Sequence, residues 1–324
     1  MANTPNGAPT GGAAKITIVG TGLVGSTAAY SVMARGLAAE IVLIDLDHNR
    51  AEGEAMDINH ALPFGRPTRI RAGDYPDAAG SAIVVIAAGV AQKPGESRLA
   101  LAKTNVRITQ DIVAKLEAVA PDAILLLVSN PVDVLTYAVI KGSGYPPERV
   151  IGSGTVLDTA RFRFELAHHC GLDPRNVHAY ILGEHGDSEV PVWSLANVAG
   201  MRLRDYCPVC GRNCDQCELD RLFDNVRTAA YRIIERKGAT YYAIALGIAR
   251  IIEAILRNER SVMTVSTLID DYCGIHDVCL SVPAVLDRSG IARLLPVQLD
   301  PTEQAALRAS ADTLETVLRS VGLQ

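Results

Sequence analysis

The first half of the chain alternates short apolar runs with longer stretches of helical periodicity. Four apolar runs predict strands, at Ile16–Val19, Glu40–Ile44, Ile83–Ala87 and Ile124–Val128. Three helices are predicted between them, at Val24–Arg35, His48–His60 and Ser97–Val119. Runs that are apolar at nearly every position are typical of parallel strands covered on both faces. The β-α-β-α order therefore predicts a doubly wound α/β domain built on a parallel sheet.

The second half of the chain mixes the two patterns. Helices are predicted at Asp158–His169, Leu219–Lys237, Tyr241–Arg257 and Pro301–Val321. Strands are predicted at Ser261–Leu268 and Val278–Val282. We expect a flexible tail at residues 1–14, the α/β domain at residues 15–150 and a mixed α+β domain at residues 151–324. The boundary near residue 150 follows the loop Gly142–Pro147.

Composition narrows the class of protein. The 324 residues are 48% hydrophobic and 21% charged, which is ordinary for a folded chain of about two domains. A net charge of −5 offers no basic face to nucleic acid. The longest apolar stretch, Ala82–Ala91, is far shorter than the roughly 20 residues of a membrane-spanning helix. Met1–Ala14 lacks the charged start and apolar middle of a signal peptide, so we expect a cytoplasmic protein.

A glycine-rich turn, Gly20-Thr-Gly22-Leu-Val-Gly25, joins the first predicted strand to the first helix. Glycines allow a backbone to approach a pyrophosphate closely, and a helix N-terminus offers unpaired N–H groups to the anion. Asp45 ends the next strand, where a carboxylate can accept ribose hydroxyls and would repel a 2′-phosphate. The pattern favours NAD over NADP. A turn without a ligand and a solvated strand-end acid are the alternatives.

Four polar clusters follow this turn in order. They are Gln92–Arg98, Ser129–Asp133, Leu157–Arg163 and Gly183–Asp187. With the glycine turn, they closely resemble the motifs of the L-lactate/malate dehydrogenase family, from Lys15 to the C-terminus. The resemblance implies a Rossmann NAD-binding domain, a substrate domain, NAD as cofactor and an L-2-hydroxy acid as substrate.

The residue types in these clusters fit the reduction of a 2-keto acid. Hydride transfer builds negative charge on the carbonyl oxygen, and His185, with an ordinary pKa of about 6.5, suits the role of proton donor. The resemblance makes Asp158 the partner of the other ring nitrogen and Arg161 the anchor of the substrate carboxylate. It makes Arg98, beyond a polar lid, the arginine that polarises the carbonyl. From spacing alone, an intrahelical ion pair of Asp158 with Arg161 is favoured over these roles, and a lone histidine such as His185 is favoured as a surface histidine.

The resemblance also implies the remaining binding residues. For the substrate they are Gln92, Asn130 and Thr240. For NAD they are Gly20, Gly22, Val24, Gly25, Asp45, Gly89 and Asn130. Malate dehydrogenases carry an arginine at the position of Gln92, which neutralises the second carboxylate of oxaloacetate. A buried, unpaired carboxylate costs several kcal/mol, so the neutral amide of Gln92 favours pyruvate and L-lactate as the substrate pair.

Arg163 lies two residues past Arg161, about 200° around the helix, and so cannot share the same site. In many bacterial lactate dehydrogenases, an arginine here and a histidine at the position of His178 bind fructose bisphosphate at a subunit interface. The resemblance therefore implies allosteric activation and a homotetramer. Two unrelated surface cations are the alternative.

The segment Cys207-Pro-Val-Cys210-Gly-Arg-Asn-Cys214-Asp-Gln-Cys217 departs from the family pattern. Two Cys-x-x-Cys pairs resemble metal knuckles suited to zinc or an iron–sulfur cluster. Because the pairs are so close together, reduced or disulfide-paired surface cysteines are favoured over a metal. The segment lies outside every catalytic motif, and no metal is expected in the active site.

Two other functions remain open. A dehydrogenase for malate or a branched 2-hydroxy acid would share most of these residues, although Gln92 argues against malate. A redox sensor that binds NAD without turnover would have no need of Arg98, Asp158, Arg161 and His185 together. A panel of 2-keto acids assayed with NADH distinguishes all three functions.

Overall fold

The computed structural model describes residues 14–90, 98–212 and 215–324, apart from the side chains of residues 98 and 210. The strands are β1 (Lys15–Val19), β2 (Glu40–Ile44), β3 (Arg69–Ala72), β4 (Ile83–Ile86), β5 (Ile124–Leu127), β6 (Val150–Gly152), β7 (Val177–His178), β8 (Ile181–Leu182), β9 (Val190–Pro191), β10 (Asn197–Val198), β11 (Met201–Arg202), β12 (Ser261–Tyr272), β13 (Ile275–Asp287) and β14 (Gly290–Leu294). The helices are α1 (Leu23–Ala34), α2 (His48–His60), α3 (Arg98–Glu117), α4 (Val132–Gly142), α5 (Val156–Cys170), α6 (Leu203–Cys210), α7 (Gln216–Lys237), α8 (Tyr242–Leu256) and α9 (Pro301–Val321).

One sheet runs through both halves of the chain, in the order β14-β13-β12-β6-β5-β4-β1-β2-β3. The six strands of the first half are parallel, which confirms the doubly wound α/β fold. Three strands of the second half, β12, β13 and β14, are antiparallel and join the same sheet, where Ser266 of β12 pairs with Gly152 of β6. The sheet is therefore continuous across residue 150.

Three elements of the first half were missing from the sequence prediction. β3 pairs on one side only, with β2, and its arginines interrupt the apolar pattern. β6 has only three residues. α4 is buried along nearly its whole length, so its sequence shows no polar face from which helical periodicity could be recognised. In the second half, β12 and β13 are longer than predicted. At the turn end their hairpin includes exposed polar residues such as Asp270 and His276, and at the other end β13 continues through the buried residues 283–286.

Apolar residues cover both faces of this sheet and form a third cluster under α5. In that cluster Phe162 of α5 meets Trp193 edge to face, with ring centroids 4.8 Å apart. The packing fixes α5 against α6 and α7. Within the described part of the chain, every helix is too short or too polar to cross a bilayer.

Candidate active site

The turn after β1 is packed tightly on its inner side and open on its outer side. Gly20 has a φ of +95°, and a Cβ there would lie 2.5 Å from the backbone nitrogen of Ala88. A Cβ on Gly25 would lie 1.8 Å from the carbonyl oxygen of Gly20. A Cβ on Gly22 would instead meet open space. Since no described side chain caps α1 at Gly22, its first-turn N–H groups fit an anionic pyrophosphate.

Asp45 follows β2 directly and lies beside this turn. Its Oδ2 accepts hydrogen bonds from the backbone nitrogen of Thr21 at 2.6 Å and from the Thr21 hydroxyl at 2.9 Å. Its Oδ1 accepts from the backbone nitrogen of Asp47 at 3.0 Å. Burial opposes ionisation, but these hydrogen bonds outweigh it and lower the pKa of Asp45. Of about four acceptor positions on a carboxylate, one is left for a ribose hydroxyl.

Asn105 on α3 joins the two loops that follow β4 and β5. Its side-chain oxygen accepts from the backbone nitrogen of Val90 at 2.9 Å, and its amide nitrogen donates to the carbonyl of Asn130 at 2.7 Å. Gly89 lies against this amide, because a Cβ there would be 3.3 Å from its oxygen. Sequence reasoning missed Asn105, because α3 offers no signal that one of its buried positions is polar.

Asp158 joins the two residues expected to act on the substrate. Its Oδ2 lies 2.5 Å from Nδ1 of His185, and its Oδ1 accepts from Nη1 of Arg161 at 2.8 Å. The Asp158 side chain is 3% exposed, Arg161 16% and His185 27%. The intrahelical ion pair that spacing allowed is therefore present, and it is part of a three-residue cluster. Asp158 lies in the first turn of α5, where the helix dipole favours a negative charge.

The charges of neighbouring side chains shift the pKa values of His185, Asp158 and Glu189 in this cluster. The Asp158 carboxylate, helped by Asp133 and Glu189, raises the pKa of His185 to about 9 against the effect of burial. The pKa of Asp158 is lowered: its burial is outweighed by the charges of His185 and Arg161 and its hydrogen bonds to them. Burial and the nearby Asp158 raise the pKa of Glu189 to about 8. The imidazole therefore carries its proton at neutral pH.

The loop that carries His185 is held at three successive backbone positions. Gly183 exchanges two hydrogen bonds with Ser281 of β13, each 2.9 Å long. The nitrogen of Glu184 donates to the Ser310 hydroxyl, and that of His185 donates to Oδ2 of Asp133, both at 2.8 Å. Ser310 and Asp133 were not predicted to belong to the site. Asp133 is in the Ser129–Asp133 cluster, but its spacing alone gives it no role.

The other predicted site residues are distributed as follows. Thr240 lies between α7 and α8, just after Gly238, which ends α7 in the left-handed conformation. Val24 is in the first turn of α1. Arg98 is the first residue of α3, and its side chain lies outside the description. Gln92 lies outside the described residues altogether.

Arg163 points away from the His185 cluster, as the helix geometry predicts. Its Nε donates to the carbonyl of Ala179 at 3.0 Å, and its guanidinium lies 5.3 Å from the centroid of the Tyr180 ring. His178 is exposed on β7, next to Ala179. Arg163 and Tyr180 also line a cavity of about 610 Å³, together with Arg175 and the exposed face of α8.

Within the cysteine-rich segment, Cys207 is buried and disulfide-bonded, and Cys217 is an exposed free thiol. Cys214 and the side chain of Cys210 lie outside the description. Among the described residues, no three His, Cys, Asp or Glu side chains are grouped so that they could hold a metal ion. The expectation was reduced or disulfide-paired cysteines on the surface. Cys217 fits it as a reduced, exposed cysteine, whereas Cys207 is paired but buried.

A glycine turn with open space at Gly22, an acidic residue after β2 and a histidine paired with a buried carboxylate fit a nucleotide-dependent dehydrogenase. Residues 14–152 match the profile described as lactate/malate dehydrogenase, NAD binding domain, and residues 155–322 that of the alpha/beta C-terminal domain. The chain therefore belongs to the lactate/malate dehydrogenase family. This finding confirms the resemblance that the motifs carried, and with it NAD as the cofactor.

Named relatives agree with this assignment. The chain is 52% identical over 309 residues to an L-lactate dehydrogenase of Thermoanaerobacter sp. (strain X514), covering 95% of this chain and 99% of that protein. It is 51% identical over 309 residues to an L-lactate dehydrogenase of Acetivibrio thermocellus, covering 95% and 98%. Its fold matches a crystal structure of the minor L-lactate dehydrogenase of Enterococcus mundtii in ligand-bound form with a TM-score of 0.93 and 43% identity, covering 96% and 99%.

Proposed function

We propose that this protein is an L-lactate dehydrogenase, which interconverts pyruvate and L-lactate with NADH and NAD. The observation that carries the proposal is the Asp158 carboxylate, bonded on one side to the ring of His185 and on the other to Arg161. One residue thereby fixes both a proton donor and a cation for the substrate carboxylate. The relatives named L-lactate dehydrogenase, at about half identity over nearly the full chain, support the same substrate pair.

The proton comes from His185. Because Nδ1 faces Asp158 at 2.5 Å, Nε2 is the ring nitrogen left to face the substrate carbonyl. When bound, NADH supplies the hydride to C2 of pyruvate, and Nε2 of His185 supplies the proton to the carbonyl oxygen. The products are L-lactate, NAD and a neutral imidazole, which regains its proton from solvent. In the reverse direction, the neutral imidazole accepts the hydroxyl proton of lactate.

The substrate carboxylate is held by Arg161. Its Nη1 is bonded to Asp158, so its remaining N–H groups are available for two parallel hydrogen bonds to the carboxylate. Arg98 polarises the carbonyl, and Asn130 and Thr240 complete the substrate site, as the family resemblance implies. Gln92 disfavours oxaloacetate because a neutral amide leaves the second carboxylate unpaired.

A substrate panel tests this function. Pyruvate, oxaloacetate and branched 2-keto acids are each mixed with NADH, and the loss of NADH absorbance is followed. We expect pyruvate to give the highest kcat/KM. Higher kcat/KM for oxaloacetate or a branched acid would replace the lactate assignment, and binding of NADH without turnover on any acid would make the protein a sensor. His185→Asn should abolish turnover, whereas His276→Asn, at an exposed histidine of β13, serves as the control.

We also propose a cytoplasmic homotetramer activated by fructose bisphosphate through Arg163 and His178. Two observations support Arg163 and His178 as the effector site. Arg163 lies apart from the His185 cluster, and its Nε donates to the carbonyl of Ala179, the residue next to the exposed His178. Cations brought together at an interface repel one another until a phosphate binds. Pyruvate saturation curves should move to lower concentration when fructose bisphosphate is added. Identical curves with and without it would remove the effector, and sedimentation would test the tetramer.

A further inference from the structure

The hydrogen bond from the His185 backbone to Asp133 joins two residues that are 52 positions apart in the chain. We call this bond, and the bonds that hold Gly183 and Glu184, tethers of the loop. Asp133 lies in the first turn of α4 and is 3% exposed. Its Oδ2 accepts from the backbone nitrogen of His185 at 2.8 Å. The neighbouring tethers, from Ser281 to Gly183 and from Ser310 to Glu184, use a backbone pair and a hydroxyl. Among these three described tethers, the one at Asp133 is the only one whose charge can change.

The second oxygen of Asp133 is buried without a hydrogen-bond partner within 3.5 Å among the described residues. The hydroxyl of Ser266, on β12, is buried and unpartnered in the same way. The Ser266 hydroxyl nevertheless lowers the pKa of Asp133, because it favours the ionised carboxylate. A buried carboxylate that satisfies only one oxygen is easier to protonate, because the charged form lacks the solvation that water would give.

Several groups face Asp133 from the elements packed around it. On the loop that carries His185, the charge of His185 favours ionisation of Asp133 and the charge of Glu184 opposes it. On β13, burial raises the pKa of the Cys279 thiol, which stays neutral. Burial is the dominant influence and raises the pKa of Asp133 to about 6. The carboxyl group therefore changes charge just below neutral pH, where the His185 imidazole remains protonated.

We propose that Asp133 is a positioning residue for the catalytic histidine, whose ionised carboxylate both holds the His185 backbone and stabilises the imidazolium, and whose protonation weakens both effects. The inference rests on the proposed role of His185 as proton donor. Its physical basis is that one side chain contacts the loop through Oδ2 while its charge acts on the ring. A neutral tether such as Ser310 can hold the loop backbone, but it cannot stabilise the imidazolium.

The test compares Asp133→Asn with Ser310→Ala. The amide oxygen of asparagine can still accept from the His185 backbone, so this change removes the charge and keeps the tether. Ser310→Ala removes a neutral tether at the adjacent residue. The titration of the His185 imidazole is followed by NMR in the full-length protein, with His185→Gln used to assign the signal. We expect Asp133→Asn to lower the midpoint of the titration by about one pH unit and Ser310→Ala to leave it unchanged.

The NMR titration needs no turnover, so its result does not depend on the result of the substrate panel. Failure of this proposal can therefore be distinguished from failure of the proposed function. An unchanged midpoint in a folded Asp133→Asn protein, or an equal shift in Ser310→Ala, would overturn the proposal. If Asp133→Asn does not fold, as judged by circular dichroism, Ser266→Ala provides the second test. Loss of its hydroxyl should raise the midpoint at which Asp133 takes up its proton, seen in the carboxyl carbon signal. Whether or not that midpoint moves, a His185 signal that does not change as Asp133 takes up its proton would overturn the proposal.

Discussion

Asp158 and His185 are 27 residues apart in the chain, yet Oδ2 of the carboxylate lies 2.5 Å from Nδ1 of the ring. The carboxylate is almost fully buried, and the ring is about one-quarter exposed. This asymmetry places the negative charge inside the protein and leaves part of the ring exposed, where the proposed substrate would reach it. Arg161, bonded to the other oxygen, shares the charge that stabilises the imidazolium.

Asp158→Asn should lower kcat for pyruvate reduction by at least about 100-fold. The amide keeps the size of the side chain, but it removes the negative charge that holds the proton on His185 and fixes the ring. Stopped-flow measurement of NADH oxidation gives kcat, and NADH fluorescence gives the cofactor affinity. The affinity should be unchanged, because the described hydrogen bonds of the Asp158 side chain go to His185 and Arg161 and not to the glycine turn. A kcat near that of the wild type would contradict the assigned role.

The pKa of about 9 for His185 predicts opposite pH dependences for the two directions. Pyruvate reduction needs the imidazolium, so its kcat/KM should be constant near neutral pH and fall as pH rises through about 9. Lactate oxidation needs the neutral ring and should increase over the same range. Rate profiles in both directions check this expectation. A fall in pyruvate reduction centred near pH 6.5, the ordinary histidine value, would contradict it.

The free energy of unfolding should also depend on the protonation of His185. The pKa of His185 is higher in the folded protein than the unfolded value of about 6.5, so its pairing with Asp158 stabilises the fold fully below that pH. The contribution is lost as pH rises through about 9. The difference in unfolding free energy between wild type and His185→Gln, measured by urea denaturation, should therefore shrink between pH 6.5 and 9. A constant difference would show that the pair does not govern stability.

Much of the fold was predictable because the buried strands β1, β2, β4 and β5 are apolar at nearly every position. The grouping of Asp158, Arg161 and His185 was predictable only through motifs, since their distances depend on how α5 packs against the loop after β8. Asp133, Ser310 and Asn105 were not predictable as site residues. Each acts by hydrogen bonding to the backbone of a distant segment, and such a contact leaves no pattern in the sequence around either partner.

Gly25→Ala should impair folding and NADH binding together. The new Cβ would overlap the carbonyl oxygen of Gly20, which is backbone and cannot move without opening the turn. Gly53→Ala is the matched control, since Gly53 is an exposed residue of α2 with open space around its Cβ position. There we expect a gain of up to about 1 kcal/mol in stability. Thermal melting and NADH fluorescence measure both variants, and a normal NADH affinity in Gly25→Ala would contradict the prediction.

Gln92→Arg should shift substrate preference toward oxaloacetate. The guanidinium would neutralise the second carboxylate of oxaloacetate, which a neutral amide leaves unpaired at a cost of several kcal/mol. The ratio of kcat/KM for oxaloacetate to that for pyruvate should rise by at least about 100-fold, which corresponds to roughly 3 kcal/mol of difference between the two transition states. Gln110→Arg adds the same charge at an exposed position of α3 and should leave the ratio unchanged. Equal ratios in the wild type and Gln92→Arg would mean that another residue sets the substrate preference.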